Sequence, residues 1–210
     1  MAIVWPCPLS VDAYAAAGRG VEVPESRCPG CQRTLAPWSG YWRFVREAGR
    51  CVRVFVRRGR CGACRSTHAL LPAFVLANRL DVAETVGAVL DAVVAGPGGV
   101  RPAAEAADIP HTTARGFVRA FVANAKDLAV RFGALCVELG GEVVVPLPDV
   151  GPRALAAIGA AWRAAMALPG WAAVGRWRFS SSVSGGTLLR PNTNSPYLVV
   201  GRRRFMPPVP

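Results

Sequence analysis

The chain has one lysine, Lys126, and two histidines, His68 and His111, among 210 residues. All its other basic residues are arginines, set in a background rich in Ala, Gly, Pro and Val. A GC-rich genome produces that bias, so the choice of arginine over lysine carries no functional information, although the net charge does. Acidic residues are scarce towards the C-terminus. Beyond position 123 they are Asp127, Glu138, Glu142 and Asp149, and none follows Asp149. A two-metal nuclease or transposase core needs three converging carboxylates on a mixed sheet. The residues beyond 123 are too few and too poorly supplied with acids to build one, and Asp149 alone reads as a turn residue. No Walker loop is present: "GPGG" (96–99) lacks the following Lys-Ser/Thr and reads as a helix stop. "SSSVSGG" contains no GxSxG elbow. The chain is therefore read as non-catalytic.

Membrane and export signals are also missing. "MAIVWPCPLSVDAYAAAG" has no basic region followed by a sustained apolar core, so no signal peptide is expected. The most apolar stretch, 154–175, carries Arg163 and Pro169, which count against a spanning helix. The expectation is a cytoplasmic, nucleoid-associated protein without a membrane partner.

What the chain does have is a 52% hydrophobic content, enough for a real core, and a formal net charge of +12 with a pI near 10.6. That charge calls for an anionic partner, nucleic acid first. It also has seven cysteines, an odd number. In a cytoplasmic-looking chain, paired cysteine spacings favour metal or redox chemistry over disulfides.

The pattern along the chain predicts a mainly α protein with a small β zinc ribbon, followed by a helix-turn-helix bundle and an irregular tail. Residues 1–26 read as an N-terminal preface. Residues 27–72 are the ribbon, with strands at "GYWRFVR" (40–46) and "CVRVFVRR" (51–58) joined by a turn at "EAG" (47–49). In the second strand, Val52, Val54 and Val56 share one face and Arg53, Phe55 and Arg57 the other. "HALLP" marks the passage from ribbon to helices. Residues 73–139 form the helical domain, beginning with a helix over 81–96 that ends at Gly96-Pro97-Gly98-Gly99. Residues 140–179 form a helical C-terminal region, with a helix at about 154–168. Residues 180–210 are a turn-rich tail containing Arg202, Arg203 and Arg204.

Cys28-Pro-Gly-Cys31 and Cys61-Gly-Ala-Cys64 are the strongest signal. Each CxxC lets a tight turn, suited by Gly30 and Gly62, aim two thiolates at one point. Two such turns brought together by a hairpin provide tetrahedral S₄ ligation, which favours one structural Zn²⁺ per chain. Four thiolates leave no open position for a catalytic water. A thioredoxin-like site needs a single CxxC opening a helix after a strand, unlike the pair here. His68 reads as a polar residue at the ribbon edge, and Cys7, Cys51 and Cys136 as small apolar residues.

Residues 100–123 fit a helix-turn-helix. The first helix covers about Pro102–Ala107, the turn is Asp108-Ile109-Pro110, and the second helix begins at His111. Phe117, Val118, Phe121 and Val122 face the core. His111, Thr112, Thr113, Arg115 and Arg119 lie on the other side, where a recognition helix reads bases and meets phosphates. Arg53, Arg57, Arg58, Arg60 and Arg65 of the ribbon, with aromatics interleaved, favour backbone-following contact with nucleic acid. Trp162, Trp171 and Trp177 read as core or partner-facing.

Taken together, the two CxxC units, the Arg-rich hairpin, "CRSTHALLP" and "GGVRPAAEAADIPHTTARGFVRAF" resemble the N-terminal DNA-binding part of bacterial insertion-sequence transposases. The chain is more closely similar to small zinc-ribbon/helix-turn-helix proteins of high-GC bacteria associated with mobile elements. That resemblance implies double-stranded DNA binding through the helix-turn-helix, with Cys28, Cys31, Cys61 and Cys64 as zinc ligands. The expected role is accessory or regulatory, alongside a protein partner such as a transposase or recombinase. An adaptor for a larger nucleic-acid enzyme and an RNA-binding module are the alternatives.

Overall fold

The structure is a computed structural model and describes residues 2–142, 147–168 and 170–188. In chain order it contains β1 (Ala2–Trp5), α1 (Val11–Ala17), β2 (Leu35–Glu47), β3 (Arg50–Cys61), β4 (Thr67–Pro72), α2 (Ala83–Leu90), α3 (Val100–Ala106), α4 (His111–Glu138), α5 (Val150–Ala165) and α6 (Arg176–Val183). The described residues thus hold six α-helices and one four-stranded sheet. None of these helices is long and apolar enough to cross a membrane.

The sheet order is β1-β4-β3-β2, with β1 parallel to β4 and the other pairs antiparallel. β2 and β3 form a hairpin in which Glu47 pairs with Arg50 across a two-residue loop. Ala48 (φ 44°) and Gly49 (φ 75°) both have positive φ. A type I′ loop needs that backbone, and its twist matches that of the strands. The turn falls where expected, but the strands run further than 40–46 and 51–58, reaching down to the cysteines. Val54 and Val56 are buried and Arg53 is exposed, as the alternation predicts. Phe55 departs from it at 8% exposure. The Arg19 guanidinium lies 5.5 Å from its ring centroid. Gly40 leaves the room, since a Cβ there would sit 2.2 Å from the ring.

Two expectations about the N-terminal half are corrected. Residues 1–26 are not a separate preface: β1 adds a strand to the sheet, and α1 packs on β3. Ser10 caps α1, accepting from the Ala13 amide at 3.1 Å. The Tyr14 hydroxyl donates to the Phe55 carbonyl at 3.0 Å. Ile3, Val4, Trp5, Val11 and Tyr14 share one apolar cluster with Val45, Val54, Val56, Leu71 and Phe74. "HALLP" is not a passage between domains but most of β4, the strand between β1 and β3. Burial alternates from Thr67 to Leu70, but Leu70, Leu71 and Pro72 are all buried, so the alternation is lost over the second half of the strand.

The helical half has its own core around α4. Ala114, Phe117, Phe121, Ala125, Leu128, Phe132 and Leu135 form its buried stripe at helical spacing. They pack with residues of α2, α3, α5 and α6. That period turns Val122 outward, 46% exposed, contrary to its expected core position. α5 begins at Val150 rather than at 154. The tail also starts later than expected, because α6 extends to Val183 with Ser180, Ser181 and Ser182 buried. Serine is small enough to pack in such a position, and the Ser180 hydroxyl donates to the Arg176 carbonyl at 2.8 Å. α6 ties the two halves together. Arg178 pairs with Glu84 of α2 and donates to the carbonyls of Cys7 and Leu9. Trp171 and Trp177 are core residues, and the Trp177 indole donates to Asp91 at 3.1 Å. Arg202–Arg204 and the rest of 189–210 lie outside the described residues.

The far end of the hairpin is stitched to the start of the helical half. Arg46 forms a bidentate pair with buried Asp81, at 2.7 and 3.1 Å. Its amide donates to the Leu80 carbonyl at 2.8 Å, and its carbonyl accepts from Val82 at 3.0 Å.

Candidate metal centre and nucleic-acid interface

The two CxxC turns are built alike. The Cys28 amide donates to the Arg33 carbonyl at 2.8 Å, and the Cys61 amide to the Ser66 carbonyl at 2.9 Å. In each, the residue after the second cysteine is left-handed: Gln32 at φ 60° and Arg65 at φ 58°. Gly30 and Gly62, expected to serve the turns, are not left-handed, and a Cβ on Gly62 would meet nothing within 4 Å.

These turns bring Cys28, Cys31, Cys61 and Cys64 together, with all four Sγ atoms within 4.8 Å of one another. Cys31 and Cys61 are 3.2 Å apart, and Cys28 and Cys64 are 3.6 Å apart. Sulfurs placed tetrahedrally at about 2.3 Å from a metal ion stand roughly 3.8 Å from one another. The cluster, with separations on either side of that value, is therefore compatible with a bound metal ion. Its electrostatics point the same way. Hydrogen bonds from the Ser66 hydroxyl and amide, then from Cys28 and Cys61, lower the Cys64 thiol to about 6. The Arg33 amide favours the Cys31 thiolate, but Cys61, desolvation, Cys28 and Cys64 outweigh it and raise that thiol to about 11. Four thiolates this close repel one another, and a divalent cation removes that conflict.

His68, expected at the ribbon edge, is instead 3% exposed on β4. Its Nε2 lies 3.5 Å from Cys28 Sγ. Burial lowers its pKa, favouring the neutral ring. Only the fold reveals this position, because nothing in the spacing of His68 separates a ligand from a neighbour of a ligand. Among the remaining cysteines, Cys7 and Cys136 are buried and Cys51 is exposed.

α3 leads into α4 through residues 107–110. Asp108 takes the left-handed conformation (φ 50°) that glycine more often fills, and Ile109 is buried behind it. Pro110 stands at the N-cap of α4 without a side-chain cap. In the first turns of α4, His111, Thr112, Arg115 and Arg119 are exposed and Thr113 is half-buried. Ala114, Phe117 and Phe121 hold that helix from behind.

The ribbon arginines divide into two groups. Arg57 donates through Nε to the Val21 carbonyl at 2.9 Å and through its other end to the Arg19 carbonyl. Arg58 donates to the Thr67 hydroxyl at 2.6 Å. Arg57 thus ties residues 19–21 to β3 and Arg58 ties β3 to β4, so both guanidinium groups are engaged within the fold. Arg53 is exposed and lies 4.8 Å from the Trp42 ring centroid, while Arg60 lies 4.5 Å from that of Trp38. Arg65 is exposed in the second turn.

No curated protein and no solved structure matches the chain. Residues 28–109, from the first cysteine of the cluster to the turn before α4, match a family described as a domain of unknown function, DUF6431.

Proposed function

We propose that the chain is a non-catalytic, zinc-stabilised DNA-binding protein, acting as an accessory or regulatory factor of a mobile element. The observation that carries this reading is the first two turns of α4. His111, Thr112, Arg115 and Arg119 stand exposed on one side of a helix whose other side is locked in the core. A short helix and a tight turn precede it, which is the arrangement of a recognition helix entering the major groove. The uncapped amides at its start supply donors for a phosphate. Arg53 and Arg60 on the hairpin and Arg65 in the second CxxC turn supply further positive charge. In this reading the four cysteines hold one structural Zn²⁺, since an all-thiolate tetrahedron favours that ion and leaves no open coordination position.

Titration of labelled duplex DNA across a salt series tests the proposal. Affinity is expected to fall steeply as salt rises, and Arg115→Ala and Arg119→Ala should each flatten the slope by about one. Absence of duplex binding at low salt refutes it.

A further inference from the structure

Among the described residues the exposed aromatic side chains are Trp38, Tyr41 and Phe44, and all three lie on β2. Exposed apolar residues scattered singly need no explanation, but rings confined to one strand do. β2 is also one of the two edge strands of the sheet, β1 being the other. The Arg46 amide and carbonyl both face outward, where they pair with Leu80 and Val82. Strand alternation turns the amides and carbonyls of Phe44, Trp42 and Gly40 to the same outer edge. The chain's own backbone covers both ends of that edge, through Arg46 and through the Leu35 amide, which donates to the Ser26 carbonyl at 2.9 Å; the open part lies between them.

Charge decides what fits there. Between Leu35 and Cys61 the hairpin carries Arg43, Arg46, Arg50, Arg53, Arg57, Arg58 and Arg60 against one acid, Glu47; Arg46 is neutralised by Asp81 and Arg50 by Asp12, which leaves the other five arginines. Arg53 stands directly across from Phe44 and over the Trp42 ring. Arg60 stands over Trp38. Each pairing sets a cation beside a flat apolar ring. Beside Trp38 an open cleft of about 990 Å³ separates residues 21–26 from the base of the hairpin; Arg19, Arg57 and Arg58 line it together with Glu22, Glu25 and Phe55. Rings offer stacking to bases, and guanidinium groups offer contacts to phosphates. A duplex buries its base faces in its own stack, so only unpaired nucleotides can use the rings. A peptide strand would use the edge amides but would gain nothing from this excess of positive charge.

We propose that the β2 edge is a platform for single-stranded nucleic acid. Trp38 and Phe44 stack unpaired bases, and Arg53 and Arg60 contact the flanking phosphates. This surface shares Arg53 and Arg60 with the duplex reading but none of the α4 residues, and its stacking on Trp38 and Phe44 does not depend on the α4 face binding a duplex.

The test is fluorescence anisotropy with the full chain and labelled oligo(dT) of about ten nucleotides, alongside an abasic chain of the same length. Trp38→Ala, Phe44→Ala and Arg115→Ala are compared, with far-UV circular dichroism confirming that each is folded. Oligo(dT) is expected to bind more tightly than the abasic chain. Trp38→Ala and Phe44→Ala should each weaken oligo(dT) about tenfold and leave the abasic chain unchanged. Arg115→Ala should leave oligo(dT) binding intact whatever it does to a duplex, which separates the two surfaces. Oligo(U) run in parallel tells a DNA strand from an RNA strand, and stacking on either supports the platform. Equal affinity for oligo(dT) and the abasic chain overturns the proposal, as does indifference to both aromatic substitutions. Self-association that Phe44→Ala abolishes, in a chain that does not bind oligo(dT), assigns the edge to a second copy instead.

Discussion

The Asp108 carboxylate lies so close to Gly49 that a Cβ built on Gly49 would stand 1.8 Å from its Oδ2. The tip of the β2–β3 hairpin thus rests on the turn between α3 and α4, while the other end of the same hairpin carries the cysteine cluster. One pair of strands connects the two features singled out for function. Gly49→Ala combines this clash with a left-handed backbone (φ 75°) that a side chain resists. It is expected to cost about 1–3 kcal/mol. Thermal unfolding should show a drop of roughly 2–4 °C per kcal/mol. Gly62→Ala is the contrast: nothing stands within 4 Å of its Cβ, so its melting temperature should be close to that of the parent. Equal effects from the two changes would mean that the tip does not press on the turn.

The metal reading makes its own demand. Elemental analysis of purified protein should find about one zinc per chain, and Cys61→Ser should unfold the base of the hairpin. His68, 3.5 Å from Cys28 Sγ, is positioned to donate to that sulfur once it is a metal-bound thiolate. Neighbours of this kind typically contribute 10–100-fold in metal affinity. His68→Ala is therefore expected to weaken zinc binding within that range in a competition with a chromophoric chelator. Unchanged affinity would reduce His68 to a packing residue.

The cysteines outside the cluster should differ in reactivity. Burial, only partly offset by the Leu9 backbone and Arg178, pushes the Cys7 thiol up to about 11. Cys51 is exposed. In the zinc-loaded protein, an alkylating reagent at neutral pH should label Cys51 quickly and Cys7 only at the rate of unfolding, as read by peptide mass spectrometry. The raised value also sets a pH dependence. The folded state holds Cys7 protonated more firmly than the unfolded chain does. Its contribution to stability is therefore whole below the ordinary thiol value of 9.0 and is lost as pH rises towards about 11. Chemical denaturation between those limits should show stability falling, and Cys7→Ala should flatten that fall. Rapid labelling of Cys7 in folded protein would contradict the burial.

Some of this was legible in the residues and some was not, for identifiable reasons. The CxxC pairs, the hairpin turn and the polar side of α4 follow local rules of spacing, turn chemistry and helical period. β1 escaped because its partner is distant in sequence, Ile3 pairing with Leu70; β4 escaped because Leu70, Leu71 and Pro72 are buried in succession, although it pairs locally with β3, Thr67 opposite Arg60. α6 escaped because three serines in a row look like a loop until the surrounding core buries them. Val122 was misplaced because an apolar residue next to Phe121 invites the same face, whereas the stripe fixed by Ala114, Phe117 and Ala125 excludes it.

The arginines show the same limit most clearly, because sequence cannot distinguish an arginine turned to solvent from one turned inward. Arg53 and Arg57 are four residues apart on β3, and the expected alternation put them on the same face. Yet the Arg57 guanidinium is tied to the Val21 and Arg19 carbonyls, whereas Arg53 lies exposed over Trp42. Substituting them should separate stability from binding. Arg57→Ala leaves the Val21 and Arg19 carbonyls without their donor and should lower stability by about 1–3 kcal/mol. Its effect on the salt dependence of DNA binding should be small. Arg53→Ala should leave the melting temperature nearly unchanged and reduce the slope of log affinity against log salt by about one, if that residue neutralises a phosphate. Denaturant unfolding and a salt titration on the same two variants decide the matter. The opposite assignment, with Arg57→Ala changing the slope and Arg53→Ala the stability, would show that these internal contacts do not persist in solution.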